Sequence, residues 1–147
     1  MSTADQSALT AALNAEYAAV YAYGVISAYA AADRNQIIVD FTAAHRARRD
    51  ATIDALKATG ASVPGPAAAY PPPFTVNDPI PAAKLAVTVE TDTAIAWRSA
   101  IERADSPAVR RTGTEALTEC SVRLATWQKI LGTNPATVAF PGRPTQS

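Results

Sequence analysis

The side chains that could do chemistry in this sequence are few, and four of them fall near the middle of four helical stretches: Glu16, His45, Glu90 and Glu119. His45 is the only histidine, set in DFTAAHRARRD at 40–50. Carboxylates with an imidazole suit a metal centre of mixed oxygen and nitrogen donors, for which Fe, Mn or Zn are fitting ions. In bundle metal sites, one Glu from each of two helices and a Glu-x-x-His from each of the other two project inward. Glu16 and Glu90 supply the lone acids. His45 and Glu119 each supply half of a pair, because Thr42 stands three residues before the histidine and Val122 three residues after Glu119. Without those ligands two cations would repel uncompensated, so ferroxidase turnover and mineral storage are not expected. What remains is a mononuclear site, or a metal-free hydrogen-bond network of carboxylates, His45 and the tyrosines Tyr17, Tyr21, Tyr23 and Tyr29, with Arg48 or Arg49 folding back to balance charge. The metal-free network is the preferred reading, and for Tyr21 a plain packed aromatic is preferred.

Charge neighbours sort the acids. Glu102 has Arg98, Glu115 has Arg111, Asp50 has Arg46 and Asp54 has Lys57 at three or four residues, the spacing of solvated helix pairs. Glu16 and Glu90 have no such neighbour and sit among apolar residues, which predicts that they point inward; Asp40 and Asp92 are expected to face water. Glu119 has Arg123 four residues on, so it is either inward or an ordinary surface pair. Cys120 lies on an apolar stripe with no second cysteine, which suits an inert thiol. No residue is assigned a catalytic role.

Four helices must position these groups. The chain is free of proline before Pro64, and Asp33 with Gln36 has capping-box spacing, which divides that stretch into helices over 5–32 and 34–59. Gly60 suits the left-handed position past the end of the second. Asp78-Pro79 and Ser106-Pro107 open helices over 80–105 and 107–131, the last closing at Gly132. Apolar stripes run through Leu9, Leu13, Val20 and Tyr23; Ile38, Phe41 and Leu56; Ala86, Trp97 and Ala100; and Val109, Cys120, Leu124, Trp127 and Leu131. The Pro-rich linker at 60–80 is long enough in extended form to run the length of a bundle, whereas the other two linkers are hairpin-short. An all-α, ferritin-like four-helix bundle follows: two antiparallel hairpins joined by one long crossover. The tail at 132–147 is expected to pack through Val138 and Phe140 or to lie loose.

At 147 residues the chain fits one domain, 1–147, with a core sufficient in itself. Thirteen basic and thirteen acidic residues argue against nucleic acid and anionic membranes as partners. The uncharged stretch YAAVYAYGVISAYAAA at 17–32 is too short to span a bilayer. The lone cysteine and a start, MSTADQ, without a basic n-region make a cytoplasmic setting the default. Helix 1 has almost no polar face. A second stripe of Tyr17, Tyr21, Gly24 and Ala28 predicts a homodimer packed through helix 1.

NAEYAAVYAYG at 14–24, AHRARRD at 44–50, the Pro-rich linker and LATWQKILG at 124–132 resemble the actinobacterial ferritin-like domain family of unknown function, over nearly the whole chain. The resemblance implies an alanine-rich four-helix bundle. Carried over by position, it implies Glu16, His45, Glu90 and Glu119 at ferritin-type ligand sites, with Thr42 and Val122 departing from the pattern.

Overall fold

The computed structural model describes residues 1–144. Four helices form: α1 Thr3–Tyr29, α2 Asn35–Lys57, α3 Pro79–Arg103 and α4 Pro107–Ile130. Among the described residues there is no strand, and no helix is long and apolar enough to cross a membrane. Asp78 and Ser106 cap α3 and α4 as expected, accepting from the amides of Ile80 (3.0 Å) and Val109 (3.3 Å). Gly60 takes φ +74° just past α2.

Asp33 does not cap α2. Residues Ala32–Arg34 make a 3-10 turn instead, and Arg34 enters α2 without a side-chain cap while Gln36 donates forward to Asp40 at 2.9 Å. The capping box of the structure is at the start of α1, where Ser2 Oγ accepts from the Asp5 amide (3.1 Å) and Asp5 Oδ2 accepts from the Ser2 amide (3.2 Å). Oδ1 of the same buried Asp5 accepts from the amides of Asp105 (2.9 Å) and Ser106 (3.1 Å). One carboxylate thereby pins the beginning of α1 to the α3–α4 turn and sets α1 antiparallel to α3.

α1 packs on both α2 and α3, and α3 packs on α4, while α2 and α4 stand farther apart and meet through side chains, Phe41 against Trp127 and Arg48 on Glu119. The linker runs the full length of the bundle, so α2 and α3 point the same way. Tyr17 donates to the Pro64 carbonyl at 2.9 Å, Tyr70 sets its ring edge-on to Tyr21 at 5.7 Å, and Val76 reaches the core at the far end. Part of the second stripe of α1 is therefore covered from within: Tyr17 is buried by the linker. Tyr21 is 41 % exposed and is not a core aromatic. Gly24 and Ala28 are also exposed.

The tail departs from the expected packing. Phe140 is 66 % exposed and does not pack; Val138, though exposed, lines a groove with Val122 and Ala125 of α4, and Gly142 comes close to α3, where an added Cβ would stand 2.6 Å from the Ala94 carbonyl and 2.7 Å from Arg98 Cβ. Residues 145–147 of the predicted tail lie outside the described residues.

Two apolar clusters make the core. One gathers Leu9, Leu13, Leu56, Trp97 and Val109, the other Tyr23, Ile26, Ile38, Leu85 and Trp127. Between them lies a polar layer.

Candidate functional site

The polar layer contains Glu16 from α1, His45 from α2, Glu90 from α3 and Arg123 from α4; the first three are fully buried and Arg123 is 7 % exposed. Each stands mid-helix on a core-facing stripe, so the bundle brings them to one level. His45 Nδ1 lies 2.6 Å from Glu16 Oε2 and its Nε2 2.8 Å from Glu90 Oε1. Carboxylate oxygens on both sides of the ring mean that both ring nitrogens carry protons, since a bare nitrogen would oppose lone pair to lone pair. The ring is thus an imidazolium held between two carboxylates.

Arg123 supplies the second positive charge. Its Nε–H is shared between Glu90 Oε1 (3.0 Å) and Oε2 (3.1 Å), and its Nη2 donates to Cys120 Sγ at 3.4 Å. Two carboxylates against an imidazolium and a guanidinium leave the layer formally neutral, which is the condition for burying it at tolerable cost. Neutral donors close the remaining valences. The Trp97 indole donates to Glu16 Oε1 (2.7 Å), Tyr23 hydroxyl donates to Glu90 Oε1 (2.7 Å), and the Trp127 indole donates to Tyr23 Oη (3.0 Å). Among the described residues the buried side-chain polar atom without a partner is Gln128 Oε1, which lies outside this layer.

Proton affinities follow from this geometry. Burial pulls the His45 imidazolium down, but hydrogen bonds to Glu16 and Glu90 and their charges outweigh it and push the ring up to about 9. Burial pushes Glu90 up, yet His45 and Arg123 more than offset it and hold the carboxyl below its ordinary value. Burial, then Glu90, drives Tyr23 well above the usual phenol value and Cys120 well above the usual thiol value. Cys120 is therefore a protonated, buried thiol, unsuited to nucleophilic work.

Glu16, His45 and Glu90 come together as a group. Glu119 does not join them: its side chain is 48 % exposed and pairs with Arg48 across the bundle at 2.9 Å, and not with Arg123 on its own helix. Arg49 pairs with its neighbour Asp50 at 2.8 Å. The balancing arginine thus comes from α4, one residue round the helix from where Glu-x-x-His spacing had pointed. Glu119 and Val122, which is 63 % exposed, face outward; Cys120 and Arg123, with the same three-residue spacing, face in. Thr42 turns its hydroxyl to the Ile38 carbonyl at 2.6 Å. Arg123, Trp97 and Trp127 are the members of the layer that the spacing argument misses. The usable signal is that an indole N–H or a guanidinium on a core stripe demands an acceptor there.

As arranged, these residues do not fit a metal ion. A ligand histidine must aim a bare nitrogen at the point where other donors converge, and here the two glutamates lie on opposite sides of a ring whose nitrogens are both engaged. Glu90 also holds Arg123 on both oxygens. Among the described residues no three His, Cys, Asp or Glu side chains are placed to hold an ion.

Residues 8–145 match the profile of a family described as a domain of unknown function, DUF4439. Among solved structures, the fold is similar to the crystal structure of a conserved hypothetical protein, rv2844, from Mycobacterium tuberculosis. That chain is 41 % identical in sequence, with a TM-score of 0.85 over 95 % of this chain and 98 % of the other. No curated protein gives a significant match.

Proposed function

The chain belongs to the DUF4439 family of domains of unknown function, and from that premise we propose that it is a non-catalytic, ferritin-like four-helix bundle whose degenerate ligand set serves as a metal-free ion network. The observation that carries this reading is the double engagement of Glu90. His45 and Arg123 both reach it, so the protein provides internally the two positive charges that a pair of buried carboxylates requires. A bundle of this kind acts as a structural or interaction module. A cytoplasmic setting is part of this reading, in which Cys120 is a buried, unreactive thiol.

The test is metal analysis of as-purified protein beside a His45→Ala variant. Parent protein free of stoichiometric Fe, Mn or Zn, before and after supply of Fe(II) or Mn(II) without oxygen, agrees with the network. Near-stoichiometric metal that disappears in the variant overturns it.

A second reading keeps Glu16, His45 and Glu90 as ligands to one Fe, Mn or Zn ion in a metal-handling or oxidoreductase role. It is favoured by the three side chains meeting in one buried layer. It requires His45 to lose one ring proton and turn the bared nitrogen to where Glu16 and Glu90 can converge, and Arg123 to withdraw from Glu90.

A further inference from the structure

Between α2 and α4, which meet through side chains and not through close backbone packing, lies an open groove of about 650 Å³, lined by Phe41, Ala44 and Ala47 on one side and Val122 on the other, with Arg48 and Arg123 within it. Along it the alanines of α2 oppose Thr118 and Val122 of α4, short side chains that leave space between the Phe41–Trp127 and Arg48–Glu119 contacts. The volume lies inside the range of roughly 300–1,000 Å³ typical of small-molecule sites, which are mostly apolar with a few placed polar groups. Phe41 packs edge-on to Trp127 with ring centroids 6.4 Å apart and closes one end. Two turns away, Arg48 and Glu119 bridge the gap at 2.9 Å.

We propose that this groove binds a monocarboxylate carrying an unbranched apolar chain, the chain lying along the alanines and Val122 and the carboxylate taking Arg48 from Glu119. Charge favours an anionic head. Arg48 is only 17 % exposed and among the described residues makes a single side-chain hydrogen bond, to Glu119, so most of its five donors are available. Glu119 is the half-exposed partner of that pair and returns to water when displaced. Arg123 adds a second guanidinium along the groove wall, while the Glu90 charge that balances it lies in the polar layer behind. Length favours a small amphiphile over a protein helix. From Phe41 to Ala51 the α2 wall runs about 15 Å at ~1.5 Å per residue, too short for an interface of about 1,000 Å².

The experiment titrates the full chain with dodecanoate below its micelle concentration by calorimetry, with dodecanol as the neutral control and Arg48→Gln and Ala47→Leu as variants. One-to-one binding of dodecanoate is expected. Arg48→Gln weakens it about ten-fold, the loss of one charge-assisted hydrogen bond, and brings it level with dodecanol. Ala47→Leu, at an exposed helical position, abolishes both without altering helicity. Absence of dodecanoate binding overturns the proposal, as does equal affinity of the parent for dodecanol, or binding that survives Ala47→Leu. A parent chain that is dimeric and becomes monomeric in Ala47→Leu assigns the groove to a second copy and also overturns it.

Discussion

His45 Nε2 and Arg123 Nε converge on the same oxygen, Glu90 Oε1, at 2.8 and 3.0 Å from two helices, α2 and α4, that also meet through Phe41 and Trp127 and through Arg48 and Glu119. Glu90 is therefore a buried junction across the open side of the bundle, behind the Arg48–Glu119 bridge at its surface. Two cations drawn to one carboxylate tolerate each other only because Glu16 takes the far side of the imidazolium, and the four residues stand or fall together.

Removal of Arg123 tests that coupling. Arg123→Met leaves Glu90 short of a charge in a dry layer and is expected to cost about 3–5 kcal/mol in urea unfolding. Adding Glu90→Gln restores neutrality with Glu16 and His45, so the double variant should fall short of the summed single losses by more than about 1 kcal/mol. Simple additivity would show that the pair does not act as a unit.

Stability should fall as pH rises above neutrality. The folded protein holds the His45 proton up to about 9, above the ordinary 6.5, so its contribution is complete below 6.5 and drains away between 6.5 and about 9. The groups facing His45 do not titrate first: Tyr23 and Cys120 are raised, Glu90 is lowered and stays ionised, and Arg123 stays charged. At about 1.4 kcal/mol per pH unit the loss is roughly 3 kcal/mol. Urea midpoints measured from pH 6 to 9 should decline for the parent and stay level for His45→Gln; parallel curves would refute the assignment.

Tyr23→Phe should cost more than Tyr17→Phe. The first removes a donor from Glu90 and an acceptor from the Trp127 indole inside the core, a loss of about 1–3 kcal/mol. The second frees a carbonyl at the linker, where water can replace the hydroxyl, and should cost less than about 1 kcal/mol. Thermal unfolding of the two variants side by side decides the order.

Association through α1 is the remaining expectation, now narrowed to the part the linker leaves open, Tyr21, Gly24 and Ala28. Sedimentation should give twice 15.3 kDa at micromolar concentration, and Tyr21→Glu should shift it to the monomer. A parent that sediments as a monomer removes this interface.

Much of the architecture is determined locally and is legible in the sequence. Asp78-Pro79 and Ser106-Pro107 open α3 and α4 where the spacing placed them, because a side-chain cap and a fixed proline φ act within one turn. The length of 60–80 makes the crossover, since hairpin-short linkers on either side leave no other long connection. Glu16 and Glu90 lack a cation on their own helix, as the exposed Asp40 and Asp92 also do, and it is their place on the apolar stripes that marks these two as buried. What the sequence could not show is which residues satisfy them. Arg123 stands four residues from Glu119 and looks like its surface partner; only the rotation of α4 against α3 turns Arg123 inward to Glu90 and leaves Glu119 to Arg48. Asp5 reads as an ordinary first-turn acid until the α3–α4 turn brings two amides to it from about 100 residues away. Helical spacing is set by hydrogen bonds four residues apart, whereas the face of each helix that meets its neighbour is set by how all four pack at once. The polar layer belongs to that second kind of information.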